Sequence, residues 1–254
     1  MTGQALIDHG RLLDVLGIEV ELLTSTARSV PADTPVPTTP GLTTGEVVRH
    51  VGGVYRVATG WMTEGHRPRD WQEDPAPGQS GEEYLREGLA ALHRELTSHD
   101  WDDHAATWWP ADRTYGFWCR RMAHETTVHR IDVQRAADVI VDEAGDDVAI
   151  DGVDEVLALW FAQRLPMLGL SGTSAGTVGI RTGGHSWIAR AGPGETLARR
   201  CSEEEAGRAD GTVTGSPVAV YEWLWGRRGH AGVTWDGSDD AIGQFWALLR
   251  LATR

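Results

Sequence analysis

The chain contains no lysine and no asparagine, and all 23 of its basic residues are arginine. Average usage would give about a dozen lysines or more at this length. Both missing residues are encoded by AA-rich codons, so a very GC-rich genome is the simplest cause. Cysteine is nearly as scarce. Cys119 and Cys201 lie far apart in sequence, which predicts buried thiols in a reducing compartment rather than a disulfide. No uninterrupted apolar run approaches the roughly 20 residues that span a bilayer. The N-terminal stretch MTGQALIDHGRLLD carries acids and a histidine where a secretory leader needs a basic and then an apolar segment. The expected location is therefore the cytoplasm. Positive charge is also short: the net charge of −14 argues against nucleic-acid or anionic-membrane partners. An anionic substrate would need local arginines to overcome that field.

What is present is the composition of a soluble globular protein, 41% hydrophobic and 24% charged over 254 residues. That length can bury a core in one large domain or two small ones. Periodicity predicts a first helix from about Thr2 to Arg28, with Leu6, Leu13, Leu16 and Val20 on one face. Residues 30–40 hold four prolines and read as an extended connector. Thr43 with Glu46, and Ser80 with Glu83, are capping-box pairs that open a second and a third helix. The run HDWDDHAATWWPADRT lacks periodicity and is expected to be an ordered aromatic loop. A fourth helix follows, from about Tyr115 to Ala137. Four helices joined by loops predict an antiparallel bundle over residues 1–150.

A bridging helix, about Asp151 to Leu168, opens the second half, residues 151–254. Glycine then becomes frequent and five short β-prone runs appear: GTVGIRT, HSWIARA, TLARRC, GTVTG and GVTW. Gly183-Gly184 marks a hairpin between the first two. Helical patterns near Ser216–Trp225 and Asp239–Leu251 complete a small α+β domain. The fold class expected is thus α+β in two domains.

The predicted second and fourth helices carry polar residues where apolar ones belong. One apolar stripe reads Val47, His50, Val54, Val57, Trp61, and the other Trp118, Met122, Glu125, His129, Val133. At about 100° per residue, Glu125 and His129 lie about 40° apart around the helix and roughly 6 Å apart along it. Desolvating an unpaired carboxylate costs several kcal/mol, so Glu125 needs a partner. A divalent metal held by His50, Glu125 and His129 meets that need for all three. Two histidines and a carboxylate suit catalytic zinc, with the fourth position left for water or substrate, although iron, nickel or manganese could use the same donors. Hydrogen-bonded core histidines are the competing reading, and periodicity alone leaves both open. The run HETTVH does not form the metalloprotease pair, because His124 and His129 are five residues apart, about 140° around the helix. His9 is a candidate further ligand; Arg130 and Asp132, an i, i+2 pair on different faces, read as surface or pocket-edge groups, with Asp132 also a candidate partner for a ligand histidine. Trp108 and Trp109 are candidates for a pocket wall.

HVGGVYR around His50, FWCRRMAHETTVHRIDVQRA, and LWGR at residues 224–227 together resemble the mycothiol-dependent maleylpyruvate isomerase family. The resemblance spans nearly the whole chain. It implies a DinB-like four-helix bundle followed by a small domain similar to sterol carrier proteins. It also places the family's metal ligands on His50, Glu125 and His129. Zinc and mycothiol, the cysteine thiol cofactor of actinobacteria, are the implied cofactors, and a lysine-free composition agrees with such a source. A catalytic arginine of the C-terminal domain falls on Arg227, with Arg228 adjacent, and Arg121 is a further candidate for holding a substrate carboxylate.

A free thiol is mostly protonated at neutral pH, and coordination to zinc would make it a thiolate. Addition of that thiolate to a cis-enedione acid, rotation and elimination would give the trans isomer. With a leaving group present, the same addition would give a thioether. Two alternatives stay open: a metal-dependent hydrolase using bound water, and a small-molecule binding protein with a structural metal.

Overall fold

The computed structural model describes residues 4–69 and 73–253. They form two compact units, one of Ile7–Asp142 and the other of Glu143–Arg254 joined by the residues ahead of Ile7. The sequence division, after residue 150, falls later than this break after Asp142. The reason is local. The helix expected from Asp151 already begins at Asp146, with Asp146 and Asp147 in its first turn, where carboxylates complement the helix dipole.

The first unit is helical. Helix α1 (His9–Ala27) starts where the Asp8 carboxylate accepts from the backbone N–H of Gly10 and Arg11. Thr2, the expected start, lies outside the described residues, and residues 4–8 are not helical. Helices α2 (Thr44–Glu64) and α3 (Gly81–Thr97) both open with the capping boxes read from sequence, Thr43 with Glu46 and Ser80 with Glu83. Helix α4 spans Tyr115–Ala136 behind a Thr114 cap. Helix α2 packs on α3, α1 on α4, and α2 on α4. The core holds Leu12, Leu16, Val20 and Leu23 of α1, Val47, Val51 and Tyr55 of α2, Leu85 and Leu92 of α3, and Met122 of α4.

Helix α4 is not amphipathic: 18 of its 22 residues are buried. That corrects the reading of Arg130 as a surface or pocket-edge group, since it is fully buried. Its guanidinium grips both carboxylate oxygens of Glu19 on α1, Nε to Oε2 at 2.5 Å and Nη2 to Oε1 at 3.0 Å. The same group donates to Gln134 Oε1 at 3.0 Å and to the Asp142 carbonyl. This network ties α1, α4 and the segment after α4 together.

The second unit begins with α5 (Asp146–Glu155), which widens into a π-helical stretch, Val156–Arg164, and closes in a short α6 (Leu165–Met167). Pro166 cannot donate a backbone hydrogen bond, and its ring crowds the carbonyl four residues back. A wider helix ahead of it relieves that crowding. Strands β1 (Gly176–Thr182), β2 (His185–Gly192), β3 (Glu195–Arg200), β4 (Gly211–Gly215) and β5 (Val233–Gly237) form one sheet in the order β3-β2-β1-β4-β5. Only β1 and β4 pair in parallel. All five fall on the runs read from sequence. Gly183 and Gly184 both take positive φ, 55° and 77°, as a two-residue hairpin turn requires. The sequence reading missed the short α7 (Glu203–Gly207), whereas α8 (Pro217–Leu224) and α9 (Asp239–Ala252) fall where expected. The architecture is α+β, with helices first and a five-stranded sheet second. Cys119 and Cys201 are both free thiols, the first buried and the second partly so.

Removing the Glu19 carboxylate would strand the Arg130 guanidinium in the bundle interior. Glu19→Ala should lower the unfolding free energy by about 3–5 kcal/mol in urea titration, and a Glu19→Leu, Arg130→Met pair should recover most of that. A single-variant cost below about 1 kcal/mol, typical of exposed ion pairs, would contradict the structural role given to this network.

Candidate metal centre

Helices α2 and α4 bring the three expected donors together. His50 Nε2 and His129 Nε2 each lie 3.2 Å from the same atom, Glu125 Oε1. One donor atom from each of the three lies within 4.8 Å of the others, and this is the one such group among the described residues. The imidazole rings meet edge to face with centroids 5.0 Å apart. Zinc–nitrogen and zinc–oxygen bonds of about 2.0–2.1 Å in a tetrahedron place neighbouring donors about 3.3 Å apart, so the two 3.2 Å separations suit such an ion. His124 is fully buried but outside the donor set, as the helix angle required, and His9 does not join it either.

The centre has a closed side and an open side. The His129 and Glu125 side chains are 11% and 15% exposed, whereas His50 is 27% exposed. Along α2, His50 shares its stripe with Val54, Val57 and Trp61, all half-buried, and the fully buried stripe beside it runs through Val47, Val51, Tyr55 and Ala58. The stripe read from sequence as core is therefore the flank of the core. Trp61 leans on Trp118 of α4 with ring centroids 6.2 Å apart.

Two of the three donors, His129 and Glu125, have a support outside the set. His129 Nδ1 lies 3.1 Å from Asp132 Oδ2, and the other oxygen of Asp132 accepts from Thr38 Oγ1 at 2.6 Å. Asp132 is fully buried and is thus neither surface nor pocket edge. This contact fixes the hydrogen on Nδ1 and leaves Nε2 facing the centre. Glu125 Oε2 accepts from Arg121 Nη2 at 2.9 Å. Beside Glu125, the Thr126 hydroxyl meets the Tyr55 hydroxyl at 2.6 Å.

The electrostatics follow from these contacts. Burial pushes the Glu125 carboxyl up, but hydrogen bonds from His129 and His50 and the nearby Arg121 outweigh it and hold the group well below its ordinary range. Burial likewise pulls His129 down, and the Asp132 and Glu125 carboxylates overcome it and raise the imidazole to about 9. Without a cation, a proton on His129 performs the compensation that a metal would.

Trp108 and Trp109 pack against Phe117 at the start of α4, at centroid distances of 5.8 and 6.1 Å, so they brace the loop on the helix. In the second unit, Arg227 is 6% exposed and donates from Nη1 to the Trp225 carbonyl at 2.8 Å. Its neighbour Arg228 is paired with the buried carboxylate of Glu222 at 3.0 Å. Thr38 was missed by the sequence reading, because a hydroxyl in a proline-rich connector gives no signal of a contact 94 positions away. Arg121 was read as a substrate contact, although its four-residue spacing to Glu125 was a visible cue.

Among curated proteins, none matches this chain by sequence. Two solved structures share its fold along most of its length: the crystal structure of the mycothiol-dependent maleylpyruvate isomerase, at 13% identity, and that of a histidine-to-alanine variant of it, at 12%. Each superposes with a TM-score of 0.59, covering 91% of this chain and 93% of the other. At this identity the likeness is one of fold. Residues 17–134, which contain all three donors, match the model of the mycothiol maleylpyruvate isomerase N-terminal domain. That match covers 118 of the 254 residues, so the likeness to this family is shown for the N-terminal domain.

Proposed function

We propose that the protein is a metal- and mycothiol-dependent enzyme acting on an electrophilic small molecule, with His50, Glu125 and His129 as its metal ligands. The observation that carries the reading is the convergence of two imidazole nitrogens on one carboxylate oxygen at 3.2 Å each. Zinc is the ion the donor chemistry fits best: two nitrogens, one oxygen and no fourth protein donor in the group. Bound there, the cation would supply the Lewis acidity that keeps a cofactor thiol ionised near neutral pH.

The chain's own residues do the rest. Asp132, steadied by Thr38, orients His129. Arg121 holds Glu125. The half-exposed His50 flank gives a ligand its approach. Cis–trans isomerisation of a maleylpyruvate-like acid is the favoured reaction, supported by the match of residues 17–134 to the mycothiol maleylpyruvate isomerase N-terminal domain and by what the similar structures are named for. Thiol transfer to a substrate bearing a leaving group uses the same centre. Arg227 is proposed as the catalytic arginine on the strength of the LWGR run alone. The cytoplasm remains the proposed location; no helix among the described residues is long and apolar enough to cross a membrane.

A hydrolase using bound water would turn over without a thiol, and a binding protein with a structural metal would not turn over at all. His50→Ala should lose both metal content and mycothiol-dependent turnover. An active, metal-free His50→Ala enzyme would remove the assignment, and full activity without mycothiol would favour the hydrolase.

Asp132→Asn should weaken zinc binding about 10–100-fold in chelator competition, the usual cost of losing a group that orients a ligand histidine. Wild-type affinity in that variant would show that Asp132 orients nothing.

The His129 imidazole, raised to about 9, must lose its proton before it can ligate. Its folded value lies above the ordinary 6.5, so in the metal-free protein its contribution to stability is complete below pH 6.5 and fades as pH rises through about 9. Glu125, held below its ordinary value, adds no proton above about pH 4.5. Zinc affinity should therefore rise roughly tenfold per pH unit between 7 and 9 and then level off. A flat profile over that range would contradict competition at His129.

A further inference from the structure

Glu125 supplies the negative charge of the donor set, and its two oxygens have different partners. Oε1 faces both histidine Nε2 atoms at 3.2 Å, while Oε2 accepts from Arg121 Nη2 at 2.9 Å. Arg121 stands one helical turn earlier, with its side chain 4% exposed against 15% for Glu125. On a solvated helix face such an i, i+4 pair is ordinary and adds little. Here both groups are out of water and the carboxylate is shared with two imidazoles. A glutamate free to turn about its last side-chain bond can offer a cation one oxygen or both. Turning Oε2 inward would break a charge-assisted hydrogen bond inside the bundle, among the stronger kinds.

We infer that Arg121 is a positioning residue that holds Glu125 to ligation through Oε1 alone and offsets its charge, so that the centre accepts anionic ligands. This rests on the metal reading above and extends it. The first consequence is geometric: with one carboxylate oxygen withheld, the His50 flank stays free for external ligands. The second is electrostatic. Two neutral imidazoles, the Glu125 carboxylate, the Asp132 carboxylate on His129 and one guanidinium sum to −1, so a divalent ion keeps a formal +1 that it would lose without Arg121. In a chain of net charge −14, such a centre is a local positive point. Its ligands would be anions: a thiolate, or a substrate carboxylate or enolate oxygen.

Cobalt(II) serves as the probe, because its visible absorption reports coordination number. Wild-type protein titrated with cobalt should show intense four-coordinate bands. Arg121→Gln, verified as folded by circular dichroism, should absorb at least about twofold more weakly per bound cobalt, as Glu125 turns both oxygens to the ion and raises its coordination number. Its cobalt form should also bind thiocyanate about tenfold more weakly once the centre loses one unit of positive charge, a change of about 1.4 kcal/mol. A folded Arg121→Gln protein with wild-type absorption overturns the inference. The infrared difference spectrum of wild-type protein, cobalt-loaded minus metal-free, tests it without a variant. One-oxygen ligation separates the two carboxylate stretches widely, and a narrow, two-oxygen separation overturns the inference. A wild-type protein that takes up no cobalt would sink the metal reading itself, which is a distinguishable result.

Discussion

A carboxylate removed from water inside a helical bundle is the constraint around which the first unit is organised. Glu125 lies between two histidines and an arginine because an uncompensated charge there would cost several kcal/mol. Two contacts from outside the donor set steady it: Asp132, itself held by Thr38, on His129, and Arg121 on Glu125. The result is a preorganised donor set. A cation entering it would find the ligand atoms already close to the separations it needs, so little ordering entropy would remain to be lost on binding.

The supports come from parts of the chain that do not look functional. The proline-rich segment before α2 places Thr38 against Asp132, and the rigidity of that segment becomes part of how His129 is aimed. Arg130, one residue beyond His129, serves stability instead. Its grip on Glu19 keeps α1 against α4 and so keeps the ligand helix in place. Binding chemistry and fold stability thus share a single helix, α4, on adjacent residues.

Much of this was legible in the sequence. Helical periodicity alone singled out His50, Glu125 and His129, although the His50 stripe flanks the core instead of entering it. Capping boxes at Thr43 and Ser80 marked helix starts, and glycine punctuation marked all five strands. What escaped depends on tertiary context. Arg130 and Asp132 read as surface or pocket-edge groups because a two-residue spacing splits the faces of an amphipathic helix, but α4 is buried on most sides; the alternative role of Asp132, partner to a ligand histidine, is the one seen. The start of α1 was placed too early, because Asp8 looks like any other polar residue until its carboxylate is seen on the backbone N–H of Gly10 and Arg11. The π-helical stretch before Pro166 carries no pattern of its own. The Thr38 contact could not be read at all, since nothing local encodes it.

The account stands or falls on whether one ion sits among three named side chains. Anomalous diffraction from crystals of zinc-loaded protein, measured on both sides of the zinc absorption edge, tests this most directly. The account predicts a single strong peak about 2.0–2.1 Å from His50 Nε2, His129 Nε2 and Glu125 Oε1. Zinc absent from that position in loaded crystals, with the His129–Glu125 contact intact, would contradict it and leave these residues as a buried hydrogen-bond network.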